Sequence, residues 1–100
     1  MYYAYVLESL KNKRFYVGST VNLKKRFLEH NRKKGGKYSS KNGPFKLVFY
    51  EVFLNKKDAL KAENFFKTGY GREVLKDKLE NYLRENLGNS QVVRQRVLVP

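Results

Sequence analysis

Five side chains of this sequence have the types needed to bind a phosphate group and to move a proton beside it: Tyr5, Tyr16, Arg26, His30 and Glu63. Arg26 and His30 are four residues apart in a predicted helix, so both lie on one flank, where they could reach the same phosphate. Taken alone, a basic helix flank is more often a solvated surface, and a single histidine is more often structural than catalytic. The elements around these side chains therefore decide whether they form a site.

Glu63 is the most unusual of the five, because helical periodicity places it in an apolar arc. On a helical wheel it falls beside Ala59 and Phe66, where an ionised carboxylate is costly unless a metal ion or an arginine compensates it. Lys67 lies four residues further on and could instead form an ordinary exposed ion pair with it. Helical position alone supports the two interpretations equally.

The two tyrosines fall in a predicted β-hairpin. Residues 2–7 and 14–20 are rich in aromatic and β-branched side chains, and they flank the polar stretch at 8–13. A loop that is symmetric about its centre would place Tyr5 opposite Tyr16, close enough for the two phenols to share one small site. Without that context, both are expected to be core or cross-strand aromatics.

The rest of the chain predicts three helices and one further strand. The apolar run at 45–53 favours a strand that is buried on both faces at the centre of the sheet. Capping residues and glycines set the other bounds: a helix from residue 20 or 22 to about 34, a helix over 55–68 and a helix over 72–86. We therefore predict an α/β domain over residues 1–88, with a three-stranded, mainly antiparallel sheet flanked by helices in the order ββαβαα, followed by a basic and apolar tail over 89–100.

The charge balance favours a polyanionic partner. The 100 residues include 22 Lys and Arg and 9 Asp and Glu, which gives a formal net charge of +13. Residues 1–46 carry 12 basic and 2 acidic side chains, whereas residues 47–100 carry 10 and 7, so one side should be strongly positive. No basic amphipathic segment has a lipid-facing stripe, which favours nucleic acid over a membrane surface. Solubility alone would require less charge than this.

The composition also excludes several kinds of site. The sequence has no cysteine and one histidine, which excludes disulfides and thiol chemistry and leaves too few ligands for a structural zinc site. No apolar run approaches the ~20 residues that span a bilayer. The apolar start of the chain is too short for a signal-peptide core, so we expect a cytoplasmic protein, with nucleoid association open, and no membrane partner.

The candidate residues have a characteristic joint spacing. Residues 3–5 (Tyr-Ala-Tyr) and 16–18 (Tyr-Val-Gly) are separated by ten residues, Arg26 and His30 follow in the first predicted helix, and Glu63 lies in the second. This arrangement resembles the GIY-YIG nuclease family, and it is most similar to the small single-domain bacterial branch. The joint spacing is far more specific than either triplet alone.

The resemblance implies hydrolysis of a DNA phosphodiester with one divalent metal ion, Mg²⁺ or Mn²⁺. It implies that Glu63 binds the metal, since a single carboxylate leaves most of the coordination sphere to water and phosphate oxygen, as Mg²⁺ prefers. It also implies that Arg26 binds the phosphate and that Tyr5, Tyr16 and His30 are the family's motif tyrosines and helix histidine. Tyr16 or His30 is the expected general base, with Tyr5 as its hydrogen-bonding partner.

The resemblance extends over about residues 2–75 and includes two departures from the family pattern. Tyr3 stands in place of the glycine of the first triplet, which is degenerate in the small bacterial branch that the sequence resembles. Leu75 stands where several family members carry an asparagine, about a dozen residues after Glu63. The contact that this asparagine makes is therefore absent or replaced.

Basic side chains around the candidate residues are expected to bind nucleic acid. They lie on the first predicted helix, in the glycine-containing loop that follows it, and around the end of the second helix: Lys24, Lys25, Arg32, Lys33, Lys37, Lys41, Lys67 and Arg72.

The sequence thus predicts a metal-dependent DNA endonuclease that is structure-selective or weakly sequence-selective and acts in DNA repair or recombination. The expected partner is DNA, with branched and single-stranded forms both open, and a homodimer or a protein partner could supply specificity. Two alternatives stay open: a nucleic-acid-binding module with little or no turnover, and an interaction subunit of a DNA-processing complex.

Overall fold

The computed structural model describes residues 1–32 and 42–88, which form three strands and four helices. The strands are β1 (Tyr2–Ser9), β2 (Phe15–Thr20) and β3 (Phe45–Phe53). The helices are α1 (Leu23–Asn31), α2 (Lys56–Phe66), α3 (Gly69–Lys78) and α4 (Glu80–Gly88). The predictions for Lys33, Lys37, Lys41 and the tail at 89–100 concern residues outside the described ranges.

β1 is the central strand of an antiparallel sheet with the order β2-β1-β3. Residues 4–7 are all buried, because neighbouring elements cover both faces of this strand. The predicted α/β class and three-stranded antiparallel sheet are thus confirmed, whereas the central position predicted for 45–53 is wrong.

β3 is an edge strand whose register shifts at Val48, so that Val48 and Phe49 both pack on the same core cluster. Because of this bulge, consecutive residues of an edge strand are apolar, and the sequence pattern resembles that of a central strand.

The β-hairpin has a different register from the one predicted. Tyr5 lies opposite Gly18, and not opposite Tyr16, because the centre of the turn lies one residue further along the chain, which moves each pairing partner by two residues. The buried hydroxyl of Ser9 accepts two hydrogen bonds from backbone N–H groups of the turn, both at 3.1 Å. Lys13 closes the turn in the left-handed region, with a φ of 64°. A shift of two residues keeps every side chain on its predicted face.

The sheet has a hydrophobic cluster on each face. α1 packs on one face, where its partly buried Leu23 and Phe27 contact a cluster of Tyr5, Leu7 and Phe45. The last three helices pack on the other face, where the buried cluster is Val6, Phe66, Leu75 and Leu79. Within the described ranges, no helix is long and apolar enough to cross a membrane. The sheet therefore separates two groups of candidate residues, those near α1 and those on α2.

The helix predicted over 72–86 is two helices that meet at Leu79. The glycines at 69–71 begin α3 instead of separating it from α2, because the Thr68 hydroxyl accepts a hydrogen bond from the Gly71 N–H at 2.9 Å. The break at Leu79 lets α4 place the Tyr82 hydroxyl on the buried carboxylate of Glu8, to which it donates a short hydrogen bond. Burial and this hydrogen bond raise the pKa of Tyr82 to about 12.

Candidate active site

The phenol of Tyr5 is the centre of the cluster that faces α1. Its side chain is buried, with 4% of its surface exposed, and its hydroxyl lies 3.1 Å from Nε2 of His30. The two rings meet edge to face, with centroids 6.0 Å apart. The Arg26 guanidinium, one turn before His30 on α1, interacts with the same phenol. The structure therefore brings three of the five predicted site residues into one cluster.

These contacts determine the ionisation of Arg26 and His30. The hydrogen bond to Tyr5 raises the pKa of Arg26, and Glu29, whose Oε1 lies 3.4 Å from Arg26 Nη1, adds to the increase against the effect of burial. Burial and the positive charge of Arg26 lower the pKa of His30. His30 is consequently neutral near pH 7, where its imidazole can accept a proton, while Arg26 keeps its charge.

Gly18 makes room for the Tyr5 ring. A Cβ atom built on Gly18 would lie 2.6 Å from Cζ of Tyr5, closer than real Cβ contacts allow. The phenol therefore occupies the space over β2 that a side chain at position 18 would take. This explains the glycine two residues after Tyr16. The Tyr5 hydroxyl reaches His30 because no side chain at position 18 takes up the space between them.

We expect Gly18→Ala to destabilise the protein by about 1–3 kcal/mol, because the added methyl group overpacks the Tyr5 ring. Gly69→Ala is the matched control, since a Cβ at position 69 has no neighbour within 4 Å, and it should be neutral or slightly stabilising. Urea denaturation of both variants measures the difference. Equal stability of Gly18→Ala and the parent would contradict the proposed packing.

Tyr16 belongs to the same face but is more accessible than Tyr5. Its hydroxyl accepts a hydrogen bond from Asn12 Nδ2 at 3.2 Å, and its ring packs edge to face on Phe45 at 5.3 Å. His30 packs on the same Phe45 ring at 5.8 Å, so Phe45 connects Tyr16 to the cluster. The predicted direct pairing of Tyr5 and Tyr16 across the strands is therefore wrong, although both tyrosines lie near His30.

Glu63 occupies the opposite side of the β2 edge. Its Oε1 accepts a hydrogen bond from the Ser19 hydroxyl at 2.6 Å, and its Oε2 lies 2.8 Å from Nζ of Lys67. Ser19 directly follows Gly18, and side chains of consecutive strand residues point to opposite faces. The ion pair with Lys67, one of the two interpretations left open by the sequence, is thus formed, yet only 17% of the Glu63 side chain is exposed.

The partners of Glu63 determine its ionisation. Burial raises the pKa of this carboxyl, but the hydrogen bonds from Lys67 and Ser19 and the charge of Lys67 outweigh burial, so the pKa lies below its ordinary value. The carboxylate is therefore ionised at neutral pH. No group of three or more His, Asp or Glu side chains in the described ranges could hold a metal ion.

The predicted nucleic-acid-binding residues that the structure describes fall into two groups. An open cavity of about 920 Å³ reaches around the β2 edge and is lined by Tyr16 and His30 on one side and by Lys67 and Arg72 on the other. The second group lines a separate groove along the outer side of α1: Lys24, Lys25 and Arg32. Only the first group shares a surface with the candidate catalytic side chains.

Two polar contacts of the site could not have been inferred from residue spacing. Ser19 orients the Glu63 carboxylate, and Asn12 orients the Tyr16 hydroxyl. The sequence signal at Ser19 is only its position next to Gly18, and Asn12 resembles any polar turn residue. Both contacts depend on how α2 and the hairpin turn are placed, which sequence periodicity does not describe.

Comparison with known proteins finds similarity along most of the chain. The profile of the GIY-YIG catalytic domain matches residues 1–79. A UPF0213 protein of Pediococcus acidilactici, from the ldhD 5′ region, is 42% identical over 87 residues, which are 85% of this chain and 83% of the relative. A UPF0213 protein of Streptococcus pyogenes serotype M3 is 48% identical over 65 residues, or 65% of this chain and 70% of the relative. The solution NMR structure of a UPF0213 protein from Bacillus halodurans aligns with a TM-score of 0.47 and 35% identity, over 75% of this chain and 82% of that one.

Proposed function

This chain belongs to the GIY-YIG catalytic-domain family, and on that premise we propose that it is an endonuclease that hydrolyses DNA phosphodiester bonds with a divalent metal ion. The observation that carries the proposal is the convergence of the Tyr5 phenol, the His30 imidazole and the Arg26 guanidinium beside an open cavity. These groups supply a positive charge for a phosphate and a neutral base next to it, which are two requirements of phosphodiester hydrolysis.

Each residue of the cluster has a distinct proposed role. Arg26 neutralises charge on the non-bridging phosphate oxygens, because a guanidinium forms strong hydrogen bonds with phosphate. Tyr5 is a positioning residue, since its buried hydroxyl contacts both Arg26 and His30. His30 or Tyr16, which both line the open cavity, takes the proton from the attacking water.

Glu63 fits the single-carboxylate ligand that such a metal ion needs. Ser19 holds one carboxylate oxygen, while the other faces the Lys67 ammonium, so a cation already occupies that side of the carboxylate. Lys67 is half exposed and can turn into solvent when another cation binds. When bound, Mg²⁺ or Mn²⁺ would stabilise negative charge on the leaving oxygen.

A cleavage assay tests this proposal directly. Purified protein is incubated with supercoiled plasmid, single-stranded DNA and branched DNA, each with Mg²⁺, with Mn²⁺ and with EDTA. We expect cleavage of at least one substrate that requires the metal ion. Intact DNA in every metal-containing reaction would contradict the proposal, and equal cleavage in EDTA would contradict its metal dependence.

Structure selectivity and cellular context are finer parts of the same proposal. Preference for branched or single-stranded DNA would suit a role in DNA repair or recombination, and the three substrates of the assay measure that preference. Light scattering with and without DNA tests whether a second copy of the chain contributes to specificity. Activity of a monomer would argue against a homodimer as the active species.

One observation favours the alternative of a binding module with little turnover. Leu75, at the spacing of the family asparagine, is a residue of α3 and is fully buried in the core cluster. No polar group can therefore act on substrate from that position. Tight DNA binding without metal-dependent cleavage of any substrate would support this alternative.

A further inference from the structure

The cavity beside the candidate active site is bordered by cations from two distant parts of the chain. The hairpin turn contributes Lys13 and Arg14, and the region from the end of α2 through α3 contributes Lys67, Arg72 and Lys76. Among the described residues, no acidic side chain lines this cavity. We call it the Arg14–Arg72 groove.

Three of these cations have no ion-pair partner among the residues that the structure describes. Lys67 is paired with Glu63, and Lys76 lies 3.5 Å from Glu73. Lys13, Arg14 and Arg72 form no ion pair with any residue that the structure describes. Like charges that face one another across a groove repel, and this repulsion is relieved when an anion binds between them.

Hydrogen bonds hold the backbone of the hairpin turn, which carries two of these cations, in a defined conformation. The Arg14 N–H donates to Asn12 Oδ1 at 2.9 Å, and the Arg14 carbonyl accepts a hydrogen bond from the Ser9 N–H at 2.9 Å. The Ser9 hydroxyl in turn donates to the Asn42 carbonyl at 2.6 Å. A turn with this many internal hydrogen bonds loses little conformational entropy when its side chains bind a ligand.

The groove also leads to the candidate catalytic side chains. Tyr16 and His30 line it together with the cations, and aromatic and aliphatic side chains form its floor. A ligand with several regularly spaced negative charges could thus contact the cations while one of its phosphates lies near His30. A polynucleotide backbone has this chemistry, because it carries one negative charge per nucleotide.

We propose that the Arg14–Arg72 groove binds successive backbone phosphates of the substrate strand, on one side of the phosphodiester to be cut. Arg14 and Arg72 contact these phosphates from opposite walls and so direct the strand past Tyr16 and His30. This inference deepens the proposed function and rests on it for the identity of the ligand. It adds the hairpin turn, in particular Lys13 and Arg14, to the predicted binding surface, together with Lys76.

The test compares two double variants that each remove two unpaired, exposed cations. Arg14→Gln with Arg72→Gln changes the groove, whereas Lys56→Gln with Lys57→Gln changes the first turn of α2, which does not line it. Fluorescence anisotropy in EDTA measures affinity for a labelled single strand and for the corresponding duplex at several salt concentrations. EDTA separates binding from cleavage, and thermal melting confirms that all variants are folded.

We expect the groove variant to lose affinity and the magnitude of its log–log salt slope to fall by about 1.4 for a single strand or about 1.8 for a duplex, since two phosphate contacts disappear. The control variant should keep the parent slope. The DNA form that shows the larger loss is the form that the groove holds. Equal losses in the two double variants, or an unchanged slope in the groove variant, would overturn the inference.

These results are distinguishable from failure of the proposed function. If the parent protein cleaves no DNA but the groove variant alone loses DNA affinity, the groove is a binding site and the endonuclease proposal is wrong. If the parent cleaves DNA while the groove variant binds and cleaves like the parent, the groove inference is wrong and the endonuclease proposal stands.

Discussion

Glu63→Gln is expected to slow Mg²⁺-dependent DNA cleavage by about 10³-fold or more, with little change in folding or DNA affinity. Glutamine keeps the shape of the side chain and an oxygen that can accept the hydrogen bond from Ser19. It removes the negative charge that would bind the metal ion and that pairs with Lys67. Single-turnover cleavage rates and Mn²⁺ binding, measured by calorimetry, report the two consequences separately.

Glu80→Gln is the matched control for this substitution. Glu80 also pairs with a cation four residues later, Arg84, but it lies on α4 and is exposed. Each substitution removes one such pair, which costs about 0.5 kcal/mol in a helix, so the two variants should have similar stability. Only Glu63→Gln should lose metal binding and cleavage. Cleavage at the parental rate by Glu63→Gln would show that Glu63 is not the metal ligand.

Tyr16→Phe should fold normally, bind DNA nearly as tightly as the parent, and cleave it at least about 10²-fold more slowly. Tyr16 lines the open cavity, where its hydroxyl would act on an attacking water or the phosphate, whereas phenylalanine keeps only the ring that packs on Phe45. Tyr5→Phe should have a smaller effect on rate, because the buried Tyr5 hydroxyl acts through His30 and Arg26.

A spectroscopic measurement separates the two tyrosine roles. His30 is the single histidine of the sequence, so its ¹H NMR titration is assigned without ambiguity. Tyr5→Phe should change the pKa of His30, because it removes the hydrogen bond to Nε2, while Tyr70→Phe, at an exposed tyrosine, should not. Full-rate cleavage by both Tyr16→Phe and Tyr5→Phe would leave the two phenols as structural aromatics.

Local features of the chain were sufficient to predict the class of the fold and to nominate candidate residues for the site. Asn55 caps its helix as predicted, and Asn22, one of the two predicted alternatives, caps α1, because an Asn side chain accepts a backbone N–H two or three residues later regardless of the rest of the fold. The joint spacing of the two triplets with Arg26, His30 and Glu63 indicated the family, which the match over residues 1–79 confirms. Periodicity alone placed Glu63 on a half-buried helix face.

The folded chain was needed for everything that depends on partners distant in sequence. The hairpin register depends on the hydrogen bonds of Ser9, and it places Tyr5 over Gly18. The central position of β1 depends on which strands pair, and a bulge in β3 hides this from the hydrophobic pattern. The separation of Glu63 from Tyr5 across the β2 edge also depends on tertiary packing. So does the convergence of cations from the hairpin turn and α3. Spacing along a strand or helix is set by local backbone geometry, whereas these arrangements are set by packing between elements, which no local pattern encodes.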